Sequence, residues 1–240
     1  NNGNQYSIYD FYENLQMKEL SLNKFESMIS NVNHYEITEG LWAQFVALIL
    51  TSKAAKTNPK PNPNEFEYDG NPNHRFDGII RHLQNNKEEN LHKLGIINVT
   101  SDTFAQNHYP HNVIDFDRNN YFLSLSDCDW LKYDFKDKKI RPTSYSIKTR
   151  PDADYQNPVN WCIEVSNTGG DNAQEWRIMD SRTGIRTVSK RNQIDTFTIQ
   201  TQLMKEESYR YIRLRSTGQT TDGNSYLAIS SLEYFGTLVM

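Results

Sequence analysis

The sequence predicts a mainly β protein, an antiparallel sandwich or jelly roll, preceded by a small α-helical segment. Three observations carry that expectation. From Phe76 onward, apolar and polar residues alternate with period 2 in many short runs. Turns rich in Gly, Asn and Asp, such as Asn167-Thr168-Gly169-Gly170-Asp171, separate those runs at similar intervals. Before residue 57 the apolar spacing is helical instead, and an Asn/Pro-rich stretch divides the two regions.

In the first region Ile8, Phe11, Tyr12 and Leu15 fall at i, i+3, i+4 and i+7 and define one apolar face. Phe25, Met28, Ile29 and Val32 repeat that spacing, with Ser21 placed as an N-cap before Leu22. A third helix is expected from Thr38 or Glu39 to Leu50, burying Trp42, Phe45, Val46 and Ile49. Residues 1–56 are therefore read as a helical segment. Residues 57–75 contain Asn58-Pro59-Lys60-Pro61-Asn62-Pro63-Asn64 and Gly70-Asn71-Pro72-Asn73. Proline removes backbone donors and restricts the residue before it, so this stretch reads as an extended linker, with Phe66 and Tyr68 as anchors.

Residues 76–240 are read as the β domain. Expected strands cover Gly78 to Leu83, Leu94 to Thr100, Trp130 to Phe135, Thr143 to Thr149, Trp161 to Val165, Trp176 to Ile178 and Ile194 to Ile199. Two more, Tyr209 to Arg215 and Tyr226 to Gly236, flank the polar loop from Ser216 to Ser225. Alternation places Leu131, Tyr133 and Phe135 on one face, and Trp161, Ile163 and Val165 on another. Trp161 and Trp176, with Ile178, are assigned to the core between the sheets. Ile212 and Leu214 point inward, whereas Arg213 and Arg215 share the other face and are expected to pair with Glu164 or Glu233.

Bulk properties narrow the function. The 240-residue chain is 36% hydrophobic and 12% aromatic, with a mean hydropathy of -0.79 and a pI near 5.9. A net charge of -4 argues against a general nucleic-acid binder or a binder of anionic membranes. The longest apolar run, from Phe45 to Leu50, is too short for membrane insertion. Two cysteines, Cys128 and Cys162, fit a reduced cytoplasmic protein better than a secreted disulfide scaffold. No G-x-S-x-G, H-E-x-x-H, P-loop or G-x-G-x-x-G motif is present, so no catalytic activity is expected.

The order Asn160-Trp161-x-Ile163-Glu164-Val165-Ser166-Asn167, then Glu175-Trp176, then Tyr209-Arg210-Tyr211-Ile212-Arg213-Leu214 resembles the discoidin, or coagulation factor 5/8 type C, family. Val113-Ile114-Asp115-Phe116-Asp117-Arg118-Asn119-Asn120-Tyr121-Phe122 is similar to an early segment of that family, with Phe116 in place of a Gly. The resemblance spans about Phe76 to Leu238. It implies an eight-stranded, galactose-binding-like jelly roll that binds ligands through loops at one end and carries no catalytic machinery. It looks closest to versions that follow BTB and BACK segments in intracellular adaptors, and the N-terminal helices are BACK-like in character. The resemblance also implies a structural Ca²⁺ near the first loop, with Asp115, Asp117 and Glu233 as candidates. Phe116 and Arg118 weigh against it, and no cofactor is expected otherwise.

The candidate partner-binding loops carry Asp117, Arg118, Asn119 and Tyr121, then Tyr155 and Asn157, then Asp171 and Asn172, then Asp222, Asn224 and Tyr226. The leading expectation is a protein-interaction adaptor or scaffold, with a cytoskeletal assembly as one setting. The alternative is a lectin-like carbohydrate-binding module. Aromatic faces beside Asn, Asp and Arg suit either use, because sugar C–H faces stack on rings while hydroxyls need directed hydrogen bonds. His108-Tyr109-Pro110-His111 offers two imidazoles, but Pro110 makes a turn of the segment, so an exposed loop is expected rather than a metal site.

Overall fold

The structure, a computed structural model, describes residues 62–116, 119–125, 130–201 and 207–240. The helices expected before residue 57 lie outside the described residues, as do Asp117, Arg118 and Cys128. Residues 62–240 form one compact unit.

Its strands are β1 (Glu65–Phe66), β2 (Asn98–Ser101), β3 (Phe122–Leu123), β4 (Trp130–Asp134), β5 (Lys139–Lys148) and β6 (Trp161–Ser166). They continue with β7 (Arg177–Arg182), β8 (Ile194–Thr198), β9 (Tyr211–Ser216), β10 (Ala228–Ile229) and β11 (Ser231–Val239). One sheet has the order β1-β11-β5-β8 and the other β2-β4-β9-β6-β7, while β10 and β3 form a separate ribbon. Every pairing between these strands is antiparallel. Apart from the two-residue β1, the main sheets hold the eight strands of a jelly roll. β1 lies in the stretch read as a linker, yet it pairs with β11 at Phe66 and Gly236, and Tyr68 packs against Phe235.

The core follows from the pleat, which sends alternate side chains to opposite faces. Leu131 and Tyr133 of β4, Trp161, Ile163 and Val165 of β6, and Ile212 and Leu214 of β9 are fully buried. Tyr145, Ile147, Leu232 and Tyr234 come from the facing sheet. Aromatic rings lock the two layers edge to face, with Tyr133 on Tyr234 at 5.3 Å and Trp161 on Phe197 at 5.2 Å between centroids. A polar chain also crosses the interior. Trp161 Nε1 donates to Tyr145 Oη at 2.9 Å, and Tyr145 Oη donates to Asp180 at 2.6 Å. Arg182 completes it by donating to the same carboxylate at 2.7 Å. Each polar group of this chain therefore has a partner, as burial demands.

The segment from Gly78 to Leu83 is a helix rather than a strand. Helix α1 (Ile79–Gln84) buries Ile79, Ile80 and Leu83. Its amides at Ile80 and Arg81 donate to the Glu233 carboxylate at 2.8 and 2.9 Å. That contact from β11 caps the helix and selects helix over strand. A second correction concerns Trp176 and Ile178. A register shift in the β6–β7 pairing between Ile163 and Glu164 buries Met179 and Asp180 and leaves Ile178 50% exposed. Trp176 stands outside the inter-sheet core, beneath the Arg213 guanidinium at 3.9 Å. Arg213 and Arg215 meet Glu164 at 2.6 and 2.9 Å, so Glu164 is their partner and not Glu233.

Candidate functional site

Strand register fixes which loops share an end. Trp161 pairs with Arg182 and with Ser216, Lys148 with Ile194 and Ser231 with Lys148. The loops 149–160, 183–193 and 217–227 therefore emerge together. Hydrogen bonds tie them into one surface. The Gln156 amide donates to Asp222 at 3.2 Å, the Arg191 amide to Asp154 at 2.8 Å and the Asn157 side chain to the Ser189 carbonyl at 3.3 Å.

Arg150 organises the surface. It stands two residues beyond the end of β5, is only 3% exposed, and lies between two rings, with its guanidinium carbon 4.7 Å from the centroids of both Tyr121 and Tyr155. Its Nε and Nη2 donate to Asp152 at 2.7 and 2.9 Å, its Nη2 also donates to Tyr121 Oη at 2.8 Å, and its Nη1 donates to Gln156. The Tyr121 hydroxyl donates in turn to Asp152 at 3.0 Å. Hydrogen bonds from Arg150 hold the Asp152 carboxyl down at about 2, so it is ionised at any physiological pH. Burial raises the Tyr121 phenol, which stays protonated. His108 packs on the Tyr121 ring at 4.1 Å. The outermost member is Tyr155, whose 49% exposure presents a ring face to solvent beside the half-exposed Asp152 carboxylate. A flat apolar face next to fixed, ionised acceptors can stack a ring while receiving hydrogen bonds from its hydroxyls.

The residues singled out in the sequence divide between this surface and elsewhere. Tyr121 and Tyr155 belong to it. Asn157 is fully buried and ties its loop to Ser189 and Thr221. Asp222 and Asn224 close their own turn, with Asn224 Nδ2 donating to Asp222 at 2.6 Å and Thr220 Oγ1 donating to Asp222 at 2.9 Å. The half-buried Tyr226 donates its amide to Asn224 at 3.0 Å. Asn119 is exposed in the segment leading to Tyr121. Asp171 and Asn172 lie at the opposite end, in the β6–β7 loop. There Asn172 accepts from the Gln174 amide at 3.0 Å and caps the 3-10 turn Ala173–Glu175. They are turn formers, remote from the Tyr155 surface.

The Ca²⁺ candidates do not converge. Glu233 is fully buried and accepts from Ile80, Arg81 and Tyr234 amides, whereas Asp115 accepts from Asn90. Among the described residues no group of three or more His, Cys, Asp or Glu is placed to hold a metal ion. His111 stacks between His92 and Tyr109. Asp152 and Gln156 fall within the polar loop Asp152 to Asn160 that the sequence offers as a candidate surface, whereas Arg150 and His108 lie outside every such loop. The one local signal is Arg150-Pro151-Asp152, an Arg at a strand end entering a turn.

The architecture defines the class as an antiparallel jelly-roll sandwich. Compared with models of protein families and with curated proteins, the sequence gives no match. Among solved structures, one similar chain is the family 32 carbohydrate-binding module of C. perfringens NanJ in complex with galactose. The TM-score is 0.46 at 13% identity, covering 59% of this chain and 94% of that one. A second is the CBM32-3 module from a family 31 glycoside hydrolase of Clostridium perfringens, at TM-score 0.47 and 16% identity, covering 60% and 92%. A third is the striped bass (Morone saxatilis) serum fucolectin, at TM-score 0.46 and 18% identity, covering 59% of this chain and 47% of that one.

Proposed function

We propose that the protein is a carbohydrate-binding module without catalytic activity, taking a sugar ring on Tyr155 with Asp152 as acceptor. The observation that carries this reading is the Tyr155–Arg150–Tyr121 stack, in which an exposed ring is held rigid from behind by a buried guanidinium. A rigid platform loses little entropy when a ligand stacks on it, and its polar neighbours are already oriented. The reading rests on this chain's own residues.

The test is titration calorimetry of the 240-residue protein with galactose, N-acetylgalactosamine, fucose and glucose, alongside a glycan array. Saturable binding is expected, and Tyr155→Ala should weaken it by about tenfold, the loss of one stacking contact. An array with no saturable glycan would overturn the proposal. A protein partner is the second reading, since the exposed Tyr155 ring beside fixed polar groups also suits a protein hot spot. Recovery of one stoichiometric protein by a protein that ignores every glycan would establish that reading instead.

A further inference from the structure

The Tyr155 surface does not end at Tyr121. Gln156, beside Tyr155, accepts through its carbonyl from the Ala228 amide at 3.0 Å. Ala228 of β10 pairs with Leu123 of β3, and the Leu123 carbonyl accepts from the Ala105 amide at 2.8 Å. Three successive steps therefore lead from Gln156 to Ala105, the chain neighbours of Tyr155 and Phe104, a path of about 14 Å at the usual strand spacing. On the far side Phe104 and Tyr109 meet with centroids 5.5 Å apart, and Tyr109 stacks parallel to His111 at 5.4 Å. These two rings are 42% and 38% exposed, and both belong to the set of large apolar side chains open to solvent. The fold gains nothing from leaving them there, since stacking inward would bury them. A second line of contacts runs the same way, with Tyr155 and Tyr121 on the Arg150 guanidinium and His108 on Tyr121.

We infer that Phe104 and Tyr109 form a second stacking platform, and that the ligand is an extended, uncharged oligosaccharide spanning from Tyr155 to these rings. The inference rests on the sugar-binding reading above. The span exceeds one sugar ring, so a monosaccharide on Tyr155 leaves Phe104 and Tyr109 uncovered. The charges fixed against Tyr121, Tyr155 and Gln156 are Arg150, already paired with Asp152, and Asp222. Among the described groups touching those rings, carboxylates outnumber the one guanidinium, which disfavours a carboxylated glycan and favours an uncharged one. Flat rings at both ends match the C–H faces of a sugar chain better than the branched side chains of a peptide.

The experiment titrates the whole protein with two series, galactose, lactose and lacto-N-neotetraose, and glucose, cellobiose and cellotetraose. In the series that binds, the tetrasaccharide should bind about tenfold tighter than the monosaccharide, the worth of a second stacking contact. Phe104→Ala and Tyr109→Ala should remove that gain and leave monosaccharide affinity unchanged, whereas Tyr155→Ala should weaken both. Monosaccharide binding with no gain on lengthening would overturn the second platform while sustaining the sugar-binding reading. Gain on lengthening that survives in both the Phe104 and Tyr109 variants would overturn it too. No binding by either series, or by the glycan array, would overturn both. Because both side chains are exposed, the variants should melt within a few degrees of the parent.

Discussion

Burial of the Glu233 carboxyl pushes it up to about 8, against backbone N–H groups of Ile80, Arg81, Tyr234 and Gly78 that favour the ionised form. The folded protein therefore holds a proton that the unfolded chain releases near 4.5. Between those values the folded state binds more protons, so stability falls as pH rises from about 4.5 to about 8. Denaturant melts at pH 5 and pH 8 should show the parent losing stability across that window, and Glu233→Gln flattening this part of the profile. A parent profile with no fall there would reject the assignment. Gly78 makes the same contact possible. A Cβ at that position would stand 2.4 Å from the Tyr234 carbonyl and 2.9 Å from the Glu233 side chain. Gly78→Ala should therefore cost about 1–3 kcal/mol by overpacking, measured as a lower denaturant midpoint with unchanged m. The carbonyl belongs to backbone, so it cannot swing aside as a flexible side chain would.

At the scale of elements, β5 and β6 show how far a sequence discloses its own structure. The buried set Trp161, Ile163 and Val165 is legible because alternation alone puts those residues on one face. Gly78 to Leu83 is not legible as a helix, because Ile79, Ile80 and Leu83 suit either period. The deciding group, Glu233, lies 153 residues from Ile80. Ile178 was misplaced for a related reason, since a bulge in the pairing moves the buried positions to Met179 and Asp180. Of the candidate site, the loop tyrosines Tyr121 and Tyr155 were legible as aromatics in polar surroundings. Arg150 was hidden because its partner Tyr121 lies 29 residues away and only the fold joins them. Asp171 and Asn172 lie at the other end of the sandwich, where Asn172 caps a turn, and the sequence could not separate the two ends because turn formers and ligand binders share one composition. The Glu164 pairings give a prediction at this scale. Burial raises that carboxyl, but Arg215 and Arg213 outweigh it and leave it lowered. Glu164→Gln would leave two guanidinium groups short of their counter-charge on the β6–β9 pair. With Arg215 partly exposed, the loss should be about 2 kcal/mol rather than the larger cost of breaking a fully buried pair. A thermal shift would measure it. The complementary pH effect has a fixed sign: the stability held by the lowered Glu164 is present above its unfolded value and lost as pH falls through the folded one.

At the scale of the whole molecule, the sandwich separates two ends that composition alone makes look equivalent. One carries Tyr155, Arg150, Asp152 and Gln156, joined to the neighbouring loops through Asp222, Thr221 and Ser189. The other carries the β6–β7 turn, where Trp176 Nε1 donates to the Gly170 carbonyl at 2.8 Å and Gly169 lies under the Tyr211 ring. The length of β6 stands between them. Because Trp161 pairs with Ser216 at one limit and Ser166 with Tyr211 at the other, no loop side chain can reach from end to end. If function resides at the Tyr155 end, changes at the two ends must act on different observables. Asn172→Ala removes the cap on Ala173–Glu175 and should cost about 1 kcal/mol of stability while leaving glycan affinity within experimental error. Arg150→Met should do the reverse in emphasis. It removes the cation between Tyr121 and Tyr155 and leaves Asp152 without its counter-charge, so glycan affinity should fall by at least tenfold, with loops 149–160 and 217–227 cut faster by protease. Calorimetric titration and limited proteolysis on the same two variants decide it. Equal loss of affinity in both would place the binding surface across the ends and contradict the assignment. Loss in Arg150→Met alone would tie recognition to the loops that the strand register brings together.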